Sequence, residues 1–187
     1  RDVLGSRGLG DVYKRQLIEL AKGIKPMLVH EMDFNRNLIK ELVHQQLMAG
    51  RNGNDNQLRP TYDSDPYFKN GETGSKKKRK RSAKEKAVKY KNWKTSITPP
   101  KEYLGYSPRE KGTPNLFITG AYHDSIKPVM QGDTVVIISD GSFPDAGDIM
   151  NKYGKIHLGL GTNARKLMYE KVFLPALDRY LKEKGYL

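Results

Sequence analysis

The sequence has no cysteine, few apolar residues and no long apolar run, and each deficit excludes a class of protein. Without cysteine there are no disulfides, thiolate nucleophiles or Cys-based zinc modules, so a metal site would need His, Asp or Glu. Apolar residues make up 36% of the 187 residues, below the roughly 45–50% of a typical globular domain. The longest apolar run is Val135–Ile138, far short of the ~20 residues that a membrane-spanning helix needs. We therefore expect one modest domain with a small core and no membrane-spanning segment.

Acidic residues are also scarce, and the excess positive charge is concentrated in one segment. The chain carries 34 Lys and Arg against 21 Asp and Glu, a net charge of +13. Residues 69–94 hold +10 of this charge, residues 1–16 hold +2, and the rest of the chain holds +1. The centre of the segment is the run Lys76, Lys77, Lys78, Arg79, Lys80 and Arg81. Because like charges repel and bury little surface, we predict a mobile, solvated basic insertion in a nearly neutral domain.

Three interpretations of this basic insertion remain open. Its composition is typical of a nucleic-acid contact, of a passive solvated loop and, less often, of a nuclear-import signal. Tyr90 and Trp93 follow the basic run. They would stack on exposed bases in the first case and pack against the domain in the second.

Apolar residues recur at three- and four-residue steps in two parts of the chain and predict helices there. The first helix runs from Pro26, which suits a first turn, to Gly50, which suits a C-terminal cap. The last begins at Asn163, and Pro175 is a potential kink in it. Its expected inward-facing residues are Leu167, Val172, Leu174, Leu177 and Leu181. A shorter helix, capped by Ser82, is predicted up to Lys94, and a short helix or a turn over residues 148–155.

Apolar runs between turn residues predict a small antiparallel sheet of about three strands. Thr134–Ser139 is the clearest strand, and its unbroken apolar run predicts burial on both faces. Another strand is predicted to begin at residues 116–118, to enter a turn at Thr119-Gly120, and to continue over residues 121–130 to a tight connection at residues 131–133. A third is predicted over residues 156–160. The predicted fold class is α+β: an N-terminal helix, this sheet, a C-terminal helix and the long basic insertion.

Residues 6–16 resemble a translated sequencing adapter. The run S-R-G-L-G-D-V-Y-K-R-Q matches, codon by codon, the transposase adapter used to build sequencing libraries. The alternative is a genuine Gly-rich loop. We expect residues 1–16 to be a read-through artefact that replaces the natural N-terminus, and residues 17–187 to form a single α+β domain with the basic insertion at about 69–94.

Two acidic or triad-like patterns are weak candidates for catalysis. Asp63 and Asp65 offer two carboxylates for a divalent ion, and so for a nuclease, but Asp before Pro is ordinary turn chemistry. The run His123-Asp124-Ser125 has the residue types of a hydrolase triad without a nucleophile elbow, and sequence neighbours rarely converge on one reacting atom. We therefore predict no enzymatic activity.

Two further patterns are weak candidates for ligand binding. On a single helix, His30 and His44 would lie about 21 Å apart, too far to share a metal. Residues 159–162 (GLGT) lack the lysine and the spacing of a phosphate-binding loop, and a turn with a Thr or Asn cap is the better interpretation. We predict no metal and no cofactor.

Two segments resemble the layout of the tail-completion proteins that join head to tail in tailed phages. The run L-F-I-T-G-A-Y-H-D-S-I at 116–126, the strand at 135–139, a Tyr-Gly pair at 153–154 and Pro-Ala in the last helix are similar to that family's motif. Upstream, residues 45–53 and 59–62 resemble a Gln-Leu and Arg-Pro-x-Tyr segment of phage virion proteins. The residues assigned to the main motif are Thr119, Gly120, Tyr122, Ser125 and Ile126.

The resemblance implies a structural subunit of a virion. Such a subunit acts by protein–protein assembly, forms a homo-oligomeric ring at the head–tail junction, and contacts other virion proteins. It would lie in the virion and, during assembly, in the host cytoplasm. The alternative from the residues themselves is a nucleic-acid-binding protein that uses the basic insertion.

Overall fold

The computed structural model describes residues 3–69 and 83–187, which form eight α-helices and one β-hairpin. The helices are α1 (Val3–Phe34), α2 (Arg36–Met48), α3 (Pro66–Lys69), α4 (Ala83–Ile97), α5 (Ala121–Asp124), α6 (Ala146–Tyr153), α7 (Thr162–Met168) and α8 (Leu174–Glu183). The strands are β1 (Ile126–Gln131) and β2 (Thr134–Ser139). The fold class is α+β, as predicted. Within the described ranges, no helix is both long enough and apolar enough to cross a membrane.

The predicted helix of residues 26–50 is found as parts of two helices that meet at Asn35. The side-chain amide of Asn35 donates a hydrogen bond to the Glu31 carbonyl at 2.8 Å, beside the backbone bond to the same oxygen. Asparagine interrupts helices by competing for backbone groups in this way. Pro26 lies inside α1 because the residues before it are also helical, so the predicted start was wrong.

The predicted cap at Gly50 is confirmed. Gly50 has a φ of +70°, and its N–H donates to the Leu47 carbonyl while the N–H of Arg51 donates to the Gln46 carbonyl. This pair of bonds is a Schellman motif. A Cβ at Gly50 would lie 2.5 Å from the Thr113 methyl group, so both backbone geometry and packing require glycine.

The C-terminal helix is interrupted by a π-helical turn over Tyr169–Phe173, which joins α7 to α8. A π turn adds one residue and rotates the following side chains by about 100° around the helix axis. Val172 remains buried, but Leu174 is 41% exposed, so its predicted inward orientation was wrong. Pro175 follows directly at the start of α8, where its missing N–H is tolerated.

The sheet has two strands, not about three. β1 and β2 pair antiparallel from Ile126–Ser139 to Gln131–Thr134 across the tight connection. The expected strand at 156–160 is a 3₁₀ turn over Lys155–Leu158. It follows directly on Gly154, whose φ of +71° ends α6, so no extended backbone forms before the turn.

The expected strand at 116–118 is also wrong. Leu116 has a φ of +54°, which an extended strand does not allow. The Asn115 side-chain oxygen accepts a hydrogen bond from the Phe117 N–H at 3.2 Å, which holds the chain in a turn. Residues 121–124 then form α5 before β1 begins.

β2 is not buried on both faces, which corrects a further prediction. Val135 and Ile137 pack against the core. The opposite face of the hairpin carries Val129, Val136 and Ile138, and Ile138 is 37% exposed. Val129 and Val136 are half-buried, so the described residues cover this face only in part.

The core is built around α2. Val43 and Leu47 pack with Leu58, Tyr122 and Ile126 in one cluster. Ile39 and Leu42 pack with α7 and the π turn in a second cluster, which includes Ala164, Met168 and Val172. α2 therefore holds the hairpin on one side and the C-terminal helix on the other.

Candidate functional site

A cavity of about 710 Å³, here called the Lys94 cavity, opens between α4, α6 and the segment that leads into α5. Its walls are mostly aromatic and apolar. The aromatic lining residues are Tyr62, Tyr67, Tyr90, Tyr122, Phe143 and Tyr153. The charged lining residues are Lys94, Lys152, Asp145 and Asp148.

One wall of the Lys94 cavity is an aromatic cluster that fixes α4 on the domain. Tyr90 meets Tyr62 edge-on, with 4.9 Å between ring centroids, and meets Phe68 in a tilted contact at 5.3 Å. Ala87 is buried beside these rings, one turn earlier on α4. Burial raises the pKa of the Tyr62 and Tyr90 hydroxyls, so both stay neutral and the wall carries no phenolate charge.

The opposite wall is formed by Tyr122 of α5, whose hydroxyl is already engaged. It donates a hydrogen bond to Nε2 of His157, and the Nδ1–H of His157 donates to the Gly154 carbonyl. Burial lowers the pKa of His157, so its ring is neutral. Its Nε2 can therefore accept a hydrogen bond from the Tyr122 hydroxyl. Tyr122 therefore lines the cavity with its ring and offers no free hydroxyl.

Lys94 lies between these walls and is the most unusual residue of the cavity. Its side chain is 1% exposed, and its Nζ has no hydrogen-bond partner among the described residues. Burial, followed by the nearby positive charge of Arg109, lowers the pKa of Lys94 to about 8. At neutral pH the group is still mostly an ammonium ion, and a buried ammonium without a partner is strongly unfavourable.

Arg109 adds a second buried cation beside Lys94 and is 6% exposed. Its guanidinium donates to the Thr98 carbonyl at 2.6 Å and to the Thr113 carbonyl at 3.3 Å. These neutral acceptors satisfy its hydrogen bonds without cancelling its charge. The interior around Lys94 is consequently electropositive.

The buried carboxylate nearest this region is already paired. Asp65 is 5% exposed and forms an ion pair with Lys152 of α6. Its Oδ1 also accepts a bond from the Tyr67 N–H at 3.0 Å. Asp145 and Asp148 line the cavity from exposed positions. None of these carboxylates hydrogen-bonds to Lys94.

The predicted polyanion-contact residues fall in two places. The run from Lys76 to Arg81 lies outside the described residues. Tyr90 and Trp93 lie on α4, with 5.3 Å between ring centroids. Tyr90 is half-buried in the cavity wall, whereas Trp93 is 43% exposed and has a free ring surface.

The residues of the tail-completion motif lie together around α5. Thr119 and Gly120 line the Lys94 cavity with Tyr122. Gly120 has a φ of +95°, and its carbonyl accepts the Asp124 N–H, which starts the helical turn. Ser125 and Ile126 lie behind the cavity and are fully buried; Ser125 Oγ donates to the Tyr122 carbonyl at 2.7 Å.

The weak catalytic candidates do not come together. Asp63 binds Lys91 at 2.7 Å and Asp65 binds Lys152, so each carboxylate has its own lysine. His123 is buried and bonds the Asn115 carbonyl, while Ser125 bonds backbone and Ser139. Within residues 3–69 and 83–187, no three His, Asp or Glu side chains are grouped to hold a metal ion.

The Gly-rich turn at 159–162 binds protein side chains at the groups that a phosphate would use. The Gly161 N–H donates to Gln46 Oε1 at 2.6 Å, and the Thr162 N–H donates to Asp55 Oδ2 at 2.8 Å. Although burial opposes it, hydrogen bonds from Thr162 and Tyr106 hold the pKa of Asp55 below its usual range. The predicted Thr or Asn cap was wrong because a distant carboxylate occupies the helix N-terminus.

The histidine pair of the first predicted helix is also separated. His30 lies on α1 and stacks with Phe34, with 6.5 Å between ring centroids. His44 lies on α2, where its Nε2 donates to the His123 carbonyl at 2.6 Å.

The key residues of the Lys94 cavity were missed at the sequence level. Lys94 counts as one more cation of the basic insertion, yet it lies seven residues after Ala87 and four after Tyr90. These spacings place it on the buried face of α4. Arg109 and His157 have no comparable signal because neither belongs to a periodic segment.

A second feature is an apolar groove of about 820 Å³ beside β2, here called the β2 groove. Its apolar lining residues are Met32, Ile39, Val135, Val136, Ile137, Ile156, Leu158, Leu160, Met168, Tyr169 and Phe173. Ile156 and Tyr169 are 44% and 55% exposed. In the described part of the chain β2 pairs only with β1, so its outer edge has free backbone groups.

No family model, curated protein or solved structure matches the chain. The resemblance to tail-completion proteins therefore rests on the sequence motifs alone.

Proposed function

We propose that the chain is a structural assembly subunit, specifically a tail-completion or head–tail joining subunit of a phage virion. The observation that carries this proposal is the outer side of β2, where an apolar groove adjoins a strand edge that no other described strand pairs with and a partly exposed sheet face. A strand with such a sequence is usually covered on both faces. The motif at 116–126 supports the choice of family.

A second copy of the chain is the partner that best fits this surface. An incoming strand would pair with the free edge of β2, and its side chains would fill the β2 groove. Repeated head-to-tail contacts of this kind close into a ring when the rotation between subunits permits it. In this proposal the remaining contacts are made with other virion proteins, and the subunit lies in the virion or, before assembly, in the host cytoplasm.

Sedimentation velocity of the full chain across the micromolar range tests this proposal. We expect concentration-dependent oligomers, and we expect Ile156→Lys to shift the equilibrium to monomer because it places a charge in the apolar groove. The matched control is Ile97→Lys, since Ile97 is 40% exposed on α4 and lies outside the groove. A wild-type chain that remains monomeric at every concentration contradicts the proposal.

Nucleic-acid binding is a second candidate, favoured by the exposed surface of α4. Trp93 presents a free ring surface, and Lys84 and Lys89 are exposed on the same helix. An exposed aromatic ring among cations is the usual arrangement for stacking on bases while contacting phosphates. Such binding weakens steeply with salt, which separates it from protein assembly through an apolar groove.

A further inference from the structure

We propose that the Lys94 cavity binds a small organic carboxylate with an aromatic body, whose carboxylate pairs with Lys94 Nζ. This inference does not depend on the assembly proposal, because the cavity and the β2 groove have different lining residues.

The described residues leave the ammonium group of Lys94 without a hydrogen-bond partner. Lys94 is 1% exposed, so water does not take the place of that partner. Lysine is almost never fully buried unless it is paired. An ammonium ion has three donors, and a ligand oxygen would satisfy the group that the protein leaves open.

The buried charge that surrounds Lys94 is positive as well. Arg109 is buried beside Lys94 and bonds only neutral oxygens. The buried Asp65 is neutralised by Lys152. The interior therefore carries uncompensated positive charge, and the missing component is an anion.

The lining of the Lys94 cavity restricts the charge and the shape of the ligand. Asp145 and Asp148 line the cavity from exposed positions and repel a multiply charged anion, which favours a monocarboxylate over a phosphate. The wall rings include Tyr62 and Tyr90, whose pKa is raised by burial so that their hydroxyls stay neutral, and Tyr122, whose hydroxyl is already bonded. A volume of about 710 Å³ falls within the usual range of small-ligand pockets, roughly 300–1,000 Å³.

The test compares acids with their neutral amides on the full chain. Benzoate and 2-naphthoate, with benzamide and 2-naphthamide as their charge-free counterparts, are titrated by isothermal calorimetry. We expect each acid to bind at least about tenfold more tightly than its amide, because a charge-assisted bond in a dry site is stronger than a neutral one. This comparison needs no variant.

The variant Lys94→Met tests whether the preference for acid over amide depends on the Lys94 ammonium group. It keeps an unbranched side chain of similar length without the charge, and we expect it to abolish the preference for the acid while the amides still bind. The control Lys89→Met removes an exposed lysine of the same helix and should behave as the wild type. Equal affinities for acid and amide, no saturable binding up to millimolar concentration, or a preference that survives Lys94→Met would each overturn the proposal.

Discussion

Three histidines, His44, His123 and His157, are held neutral by burial in the folded protein. Burial is the main cause that lowers the pKa of each ring, and it lowers that of His123 to about 4. The hydrogen bond from His123 to the Asn115 carbonyl opposes this effect, whereas the positive charge of Lys94, and that of His44 whenever it is protonated, adds to it. The rings are therefore fixed in single tautomers by backbone carbonyls.

We expect the free energy of unfolding to fall as the pH is lowered from about 6.5 to about 4. In this window the unfolded chain binds a proton at residue 123 and the folded chain does not, so acid favours unfolding. His123→Asn should flatten the dependence by roughly 2–3 kcal/mol across the window. Urea denaturation at a series of pH values measures it.

His30→Asn, at an exposed position of α1, controls for the general loss of a histidine. A His123 variant with the same pH profile as the wild type would show that residue 123 is not held neutral by the fold.

At the scale of elements, the contact between α1 and α8 depends on one glycine. A Cβ at Gly23 would lie 1.8 Å from the Tyr180 hydroxyl oxygen. That hydroxyl donates to the Leu20 carbonyl at 3.1 Å, and Arg179 binds Glu31 at 2.7 Å further along. Gly23 is therefore required for close packing and not for an unusual backbone angle.

We predict that Gly23→Ala destabilises the protein by about 1 kcal/mol, because the Tyr180 ring must move and the bond to Leu20 is lost. In a Tyr180→Leu background the same change should stabilise by about 0.5–1 kcal/mol, since alanine is the better helix former. Chemical denaturation of the four proteins in this double-mutant cycle measures the coupling. Additive effects would mean that the two side chains do not conflict.

Helices and strands with a clear hydrophobic period were predictable from the sequence. Turns that depend on the local hydrogen bonds or the positive φ angle of one residue were not. The stripe on α2, the cap at Gly50 and strand β2 follow from spacing and turn chemistry alone. The failures at Leu116 and at the 3₁₀ turn arise from local hydrogen bonds and positive φ angles, which leave no periodic signal. The prediction for Leu174 failed because a π turn shifts the helical phase.

The candidate site was harder to predict than the fold. Thr119, Gly120 and Tyr122 were singled out from the family motif, but their position at a cavity was not part of that expectation. Lys94 was assigned to a solvated charged segment, although its spacing from Ala87 and Tyr90 already indicated a buried position. Charge alone predicts exposure, and tertiary packing decides the exceptions.

For the whole molecule, the two basic segments, residues 1–16 and the run from Lys76 to Arg81, are expected to differ in their roles. Side chains of residues 11–16 are exposed along α1. Deleting residues 1–16 should therefore leave the free energy of unfolding within about ±0.5 kcal/mol and change heparin retention only modestly. Replacing Lys76 to Arg81 with Gly and Ser should remove most heparin retention and reduce the salt slope on duplex DNA by roughly 5.

Two outcomes would contradict this assignment. Unfolding of the protein on deletion of residues 1–16 would show that the segment is genuine structure and that the boundary at Leu17 is wrong. A binding constant for duplex DNA that does not change with salt would exclude the nucleic-acid function.

The bonds that join distant parts of the chain have a consequence for how the protein folds during synthesis. Gln46 bonds the Gly161 N–H across 115 positions, and Tyr180 bonds the Leu20 carbonyl across 160. Contacts of such long range make folding slow, because loop closure must precede the stabilising contacts. On the ribosome, α2 emerges long before α7, so Ile39 and Leu42 of α2 lack their α7 partners until that helix leaves the exit tunnel.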